Sequence, residues 1–277
     1  MPVKAEWKVS RQEAFAALSL FRQRQWVLAF VGVVALTVAF VFLGRWQFHR
    51  HEAKLARRDL INSNYDAKPV PVDDLLSTGR ALSPLEQWRP VAASGTYLPD
   101  VTVLIRNRPL DANNGYEVIV PLRTEGGILL VDRGWIPSGA TAEKPDSVPA
   151  VPTGTVTVTA RMRLGEPAQN RPAPVGQAMQ IDLPQIERGL HAARVSDPTY
   201  PGYGLLVGES PAANPAPTPL PAPDVGLGIN LAYAIQWWAF AIAAYVLLAV
   251  AAVREVRREA AGGTAQPPPV PAARAAP

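Results

Sequence analysis

Hydrophobic positions along the chain fall into three zones. Residues 26–44 and residues 225–253 run nineteen and twenty-nine positions without a charged side chain. A helix rises 1.5 Å per residue, so each stretch is long enough to cross about 30 Å of hydrocarbon. Residues 45–224 between them are polar and rich in turn residues, which predicts a folded aqueous domain. The charged run 46–60 lacks Gly and Pro, so the first helix should continue out of the membrane until Pro69 and Pro71 break it. Within the domain, the candidate strands are 91–97, 101–106, 116–122, 128–132 and 153–164, with a last short strand at 204–207. The fifth alternates Val156, Val158 and Ala160 with Thr155, Thr157 and Thr159, the period of a half-buried strand. Segments 116–122 and 128–132 are densely apolar and joined by the turn 123–127, which reads as a hairpin at the centre of a sheet. A short helix is expected at 184–193 and another at 11–21.

The resulting fold class is an α+β membrane protein, with two transmembrane helices flanking an antiparallel β-rich extracytoplasmic domain. Its parts are a solvated cytoplasmic arm (1–25), a first span (26–44), the domain (45–224) with a stiff Pro-rich linker (211–223), a second span (225–253) and a tail (254–277) disordered by its Ala/Pro composition. Charge sets the orientation. Arg254, Arg257 and Arg258 follow the second span, and no Lys or Arg lies between Arg194 and Arg254. By the positive-inside rule both termini are expected in the cytoplasm of a cell whose plasma membrane the chain crosses twice.

Composition narrows the chemistry. The 277 residues, 48% of them hydrophobic, supply two spans and one core. The absence of cysteine excludes disulfides, thiolate metal sites and a Cys nucleophile. No HExxH, GxSxG or phosphate-loop pattern is present, and the expectation is a protein that is not an enzyme. The rival of another class is a membrane-anchored hydrolase with a Ser/Lys pair, using Lys68 or Lys144 as base. Asp73 and Asp74 read as a helix start or turn. Lys and Arg are dispersed rather than interleaved with exposed aromatics, which argues against nucleic acid as a partner.

Chemistry concentrates instead where the two spans meet their outer rim. Trp46 and Gln47 end the first, and Tyr233, Gln236 and Trp237 share one face of the second by their spacing. An aromatic belt explains Trp46 and Tyr233. An amide inside the apolar run needs a partner, and Gln47 meeting Gln236 would supply one. The alternative is that both amides face a bound amphipathic molecule with a planar apolar body.

These blocks together resemble the surfeit locus protein 1 family of cytochrome c oxidase assembly factors. The resemblance rests on Leu43, Gly44, Trp46, Gln47 and Arg50 after the first span; on Gly115, Tyr116, Val118, Pro121 and Leu122; on Val131, Arg133, Gly134, Trp135, Ile136 and Pro137; on Arg89, Pro90, Val91, Gly95 and Tyr97; and on Leu231, Tyr233, Ala234 and Trp237. It covers most of the chain from about 40 to 250. It implies a role in maturing a haem-copper oxidase, by assisting delivery or retention of haem a. The partners implied are the oxidase core subunit and the haem a synthesis machinery, with the lipid bilayer around the spans. In bacterial members a His just before the second-span block is thought to bind haem. Asn230 holds that slot here, and His49 or His51 on the first helix could substitute, with Arg45 or Arg50 pairing a propionate. The same resemblance casts Arg50 and Arg133 as anchors for carboxylates of a ligand or partner. A bulge at Gly134 and packing of Trp135 against lipid or the anchors are the structural roles expected of that motif. The rival in the same locality is a scaffold for the oxidase subunit without haem contact.

Overall fold

The computed structural model describes residues 9–76, 79–141, 143–169 and 171–262. In chain order the elements are α1 (Arg11–Ser19), α2 (Arg24–Asn64), β1 (Val70–Pro71), α3 (Val72–Leu75), β2 (Pro90–Tyr97), β3 (Val103–Ile105), β4 (Gly115–Arg123), β5 (Ile128–Pro137), β6 (Val156–Arg163), β7 (Gln177–Ala178), α4 (Leu183–Ala192), β8 (Thr199–Ser210) and α5 (Asn230–Gly262). They form two compact units. Of the described residues, one takes in those within 9–55 and 227–262, the other those within 56–226.

In the helical unit, α2 and α5 are long and apolar enough to cross a membrane. The side chains withdrawn from solvent on α2 include Val33, Thr37, Phe40, Gly44, Gln47 and His51. On α5 they include Asn230, Ala234, Trp237, Ala241, Ala244 and Leu248. Both series step by four and three residues, the spacing of a seam between paired helices. Helix α1 begins in a capping box in which Ser10 and Glu13 satisfy each other's backbone N–H groups. The expected helix is therefore present, but it is not a solvated arm. Ala17 and Leu20 pack against Ala252 beside Trp26 and Val256, and the Arg257 Nε–H donates to Glu13 at 2.8 Å. This ion pair holds the Glu13 carboxyl down at about 2, first through the Arg257 hydrogen bond and then through the Ser10 N–H. Segment 254–262 is helical, where the sequence suggested the beginning of a disordered tail. The remainder of that tail lies outside the described residues.

In the second unit, strands β2, β6, β8, β5 and β4 pair in that order, and Thr96 and Tyr97 on β2 pair with Arg123 and Leu122 on β4 to close the ring. Strands β1, β3 and β7 extend its edges. The sheet is mixed, which corrects the antiparallel expectation. Pairs β2–β4, β2–β6, β3–β4, β4–β5 and β6–β8 are antiparallel, but β1–β2, β3–β7 and β5–β8 are parallel. The reason is topological. After β5 the chain crosses to place β6 away from it, and β8 fills the slot between them, antiparallel to β6 and so parallel to β5.

The two central strands show why their sequences are continuously apolar. Val118, Val120, Leu122, Leu129 and Val131 enter one core with Val91, Val158, Ala160 and Met162. Ile119, Ile128 and Leu130 enter a second core with Ile181 and with Ile186 and Leu190 of α4. Strands buried on both faces lose the polar alternation of a half-exposed strand. Strand β5 continues past the expected residue 132 to Pro137 because a bulge absorbs one extra residue. Between Ile119↔Asp132 and Glu117↔Trp135, β4 contributes one residue and β5 two. Strand β8 runs Thr199–Ser210, longer than the expected 204–207, and takes in Pro201 and Gly202, residue types that weaken a strand interior. The linker 211–223 also packs: Trp135 and Thr218 exchange two backbone hydrogen bonds of 2.8 Å.

Candidate functional site: the helix rim and the β5 motif

At the rim, the amide of Asn230 donates from Nδ2 to Gln47 Oε1 at 2.7 Å. This replaces the expected pairing of Gln47 with Gln236. Gln236 is exposed and makes no side-chain hydrogen bond among the described residues. The seam repeat explains the exchange. It runs through 230, 234, 237 and 241, so it admits Asn230 and Trp237 and leaves Tyr233 and Gln236 facing outward. Trp237 stacks on Phe40 at 5.6 Å between ring centres. Trp238 lies against Gly44 so closely that a Cβ there would come within 2.2 Å of the indole nitrogen. Any larger residue at 44 would force the Trp238 ring or the helix pair to shift.

The outward side of the rim carries Trp46, 52% exposed, with the Arg50 guanidinium 5.0 Å from its ring centre. His49 is exposed and pairs with Glu52 at 3.0 Å. His51 behaves differently. It is buried, and its Nδ1 has no hydrogen-bond partner among the described residues. Its spacing from Gly44 and Gln47, seven and four residues, was the available signal that it belongs to the seam, whereas His49 does not.

In the β-domain the motif residues are chiefly structural. Arg133 is not an anchor for an outside carboxylate. Its side chain is fully buried and pairs with Glu209 at 2.8 Å, while its guanidinium reaches the carbonyls of Pro149 and Ala150 and lies 5.5 Å from the Tyr97 ring centre. The Tyr97 hydroxyl donates to the other Glu209 oxygen at 2.8 Å. Gly134 sits in the bulge with φ +122°, and a Cβ there would meet the Thr218 carbonyl at 2.4 Å. Trp135 packs within the domain: its Nε1–H donates to the Arg108 carbonyl at 2.7 Å. A Cβ on Gly115 would approach the same indole to 2.4 Å. Tyr116 is buried in the first core.

One residue of this motif escaped the sequence reading. Asp132 is 1% exposed; its Oδ1 accepts from the Gly134 N–H at 3.0 Å, and its Oδ2 has no partner among the described residues. Burial, reinforced by the nearby Glu117 carboxyl, pushes the Asp132 carboxyl well above the ordinary range. Asp73 and Asp74 lie in the first turn of α3, in keeping with a helix start, and Asp73 accepts a hydrogen bond from the Tyr200 hydroxyl. Lys68 and Lys144 are both exposed. Among the described residues no group of three or more His, Asp or Glu side chains is placed to hold a metal ion.

Fold and rim together define a membrane-associated α+β protein, in which a helical pair closed by an amide–amide bond accompanies a small ringed β-domain. The SURF1 family model matches residues 34–242. An uncharacterized SURF1-like protein of Mycobacterium bovis is 34% identical over 249 residues, covering 88% of this chain and 89% of the relative. Two from Mycobacterium tuberculosis strains match to the same extent. The chain belongs to the SURF1 family.

Proposed function

We propose that this protein is an assembly factor for a haem-copper cytochrome c oxidase, anchored in the plasma membrane by α2 and α5 with both termini in the cytoplasm. The observation that carries this reading is membership of the SURF1 family, known in general for oxidase assembly, across both helices and the intervening domain. The factor acts on the oxidase core subunit and the haem a machinery through the outward rim, where Trp46, Arg50, Tyr233 and Gln236 are open to a neighbouring molecule.

Haem a contact, in this reading, is peripheral and transient. The Asn230 amide is committed to Gln47, and Trp238 fills the notch at Gly44, so the seam itself does not receive a macrocycle. A haem on the outer face would have the Trp46 ring for its plane, Arg45 or Arg50 for a propionate and the exposed His49 imidazole as a nitrogen donor. When bound, the haem is cargo for the oxidase rather than a resident group.

The closed amide pair favours a second reading, a scaffold that recognises the oxidase subunit without touching haem. Deleting the gene and scoring assembled haem-a oxidase tests the shared part: full assembly in the deletion strain would overturn both readings. An absorption spectrum of the protein purified from haem-a-producing cells separates them. A Soret band that weakens in His49→Ala and Arg50→Ala supports haem contact, and its absence supports the scaffold.

A further inference from the structure

Helix α1 carries apolar side chains on two opposite faces, and only one of them is covered. Residues 13, 17 and 20 face α5. Residues two positions earlier or later on a helix lie about 200° around its axis, so Arg11, Phe15 and Leu18 form the opposite stripe, and Arg22 follows in the single 3-10 turn Leu20–Arg22. Phe15 is 73% and Leu18 65% exposed, with an exposed Arg at either end of the stripe. Neither side chain has a reason to be apolar if it faces water, and a Phe–Leu pair this exposed marks a contact surface.

The position of the stripe indicates what covers it. Two residues after Arg22 the chain enters α2, the first of the membrane-length helices. Phe21 makes edge contacts with Trp26 and Phe30 at 6.2 and 5.8 Å, so the end of α1 is tied to the start of the apolar run. The headgroup layer is about 5–7 Å deep on each side of the hydrocarbon, and at 1.5 Å per residue the last turn of α1, from Phe15 to Ser19, spans about that depth. Arg11, Arg22 and Arg24 outnumber the single acid, Glu13, which is already engaged by Arg257. Apolar residues framed by arginines at a bilayer boundary fit one chemistry, the acidic phospholipid headgroup above an acyl surface.

We infer that the Arg11–Phe15–Leu18 face of α1, with Arg22 in the turn that follows, is a docking surface for acidic phospholipids, clamping the paired ends of α2 and α5 to the bilayer face they leave. This rests on α2 and α5 crossing a bilayer. It assigns a role to the N-terminal helix that oxidase assembly does not itself require.

The chain has no cysteine, so single-cysteine variants of the full protein report one site each. Phe15→Cys and Leu18→Cys, labelled with an environment-sensitive fluorophore, are placed in nanodiscs of phosphatidylcholine alone or mixed with phosphatidylglycerol. Val34→Cys serves as the in-span control and Thr153→Cys as the domain control. The expected result is a blue shift and quenching by a lipid-borne quencher at 15 and 18 in the acidic discs, weakened in phosphatidylcholine and by salt. Arg22→Gln should reduce the ratio of lipid-embedded to aqueous label about five-fold, the loss for one cation near an acidic surface. Labels at 15 and 18 that stay aqueous while 34 is embedded would overturn the docking surface alone. Equal embedding in both lipids would overturn the headgroup selection. An aqueous label at 34 would overturn the spanning reading as well.

Discussion

Replacing Arg133 with Ala tests the claim that the β5 motif serves the core rather than a ligand. The Arg133 side chain is fully buried and that of Glu209 is 5% exposed, with 2.8 Å between Nη2 and Oε1. Truncation strands the Glu209 carboxylate in the interior with only the Tyr97 hydroxyl as a donor among the described residues, and it frees the carbonyls of Pro149 and Ala150. Removing one partner of a buried pair costs about 3–5 kcal/mol, because the remaining charge is uncompensated. For a domain of this size about 2–4 °C of melting temperature accompanies each kcal/mol, so Arg133→Ala should melt roughly 6–20 °C below the parent. The double variant Arg133→Met/Glu209→Leu removes both charges and should recover most of that loss, since a well-packed apolar pair is often as stable as the ion pair it replaces. Melting of the full chain in detergent, followed by near-ultraviolet circular dichroism, measures all three. A double variant no more stable than Arg133→Ala would refute the pairing argument. An Arg133→Ala protein with unchanged melting but lost oxidase assembly would restore Arg133 as a ligand anchor.

Three further outcomes follow from the same geometry. Asp132 holds its proton more tightly when folded than unfolded; its favourable contribution is therefore complete below the ordinary aspartate range and lost as pH rises toward its elevated folded value. Thermal melts between about pH 5 and about pH 8 should show the parent losing stability that Asp132→Asn retains, and parallel slopes would contradict the buried neutral carboxyl. Gly134→Ala should cost about 1–3 kcal/mol from backbone strain alone, and the clash with Thr218 should detach the linker. Faster hydrogen exchange at the Trp135 and Thr218 amides would register that detachment. At the rim, Gln47→Cys/Asn230→Cys should be joined by a short bis-maleimide more readily than Gln47→Cys/Gln236→Cys, and the reverse order would reinstate the original pairing.

Much of this protein follows from periodicity. Uncharged length determined the two long helices, each apolar and long enough to cross a membrane. The paired apolar runs at 116–122 and 128–132 determined the central hairpin, since strands covered on both sides cannot alternate. Recurrent motifs were enough to indicate the family. Partner choice was another matter. Gln47 could be assigned an amide partner from sequence but not the correct one, because Asn230 and Gln236 lie on different faces of α5 and only packing decides which face turns inward. Arg133 looked like a ligand anchor until its burial beside Glu209 was visible, and Asp132 gave no sign of its isolation. The parallel β5–β8 pairing was equally hidden: strand direction depends on which gap a late strand enters, a long-range property that no local pattern of side chains encodes.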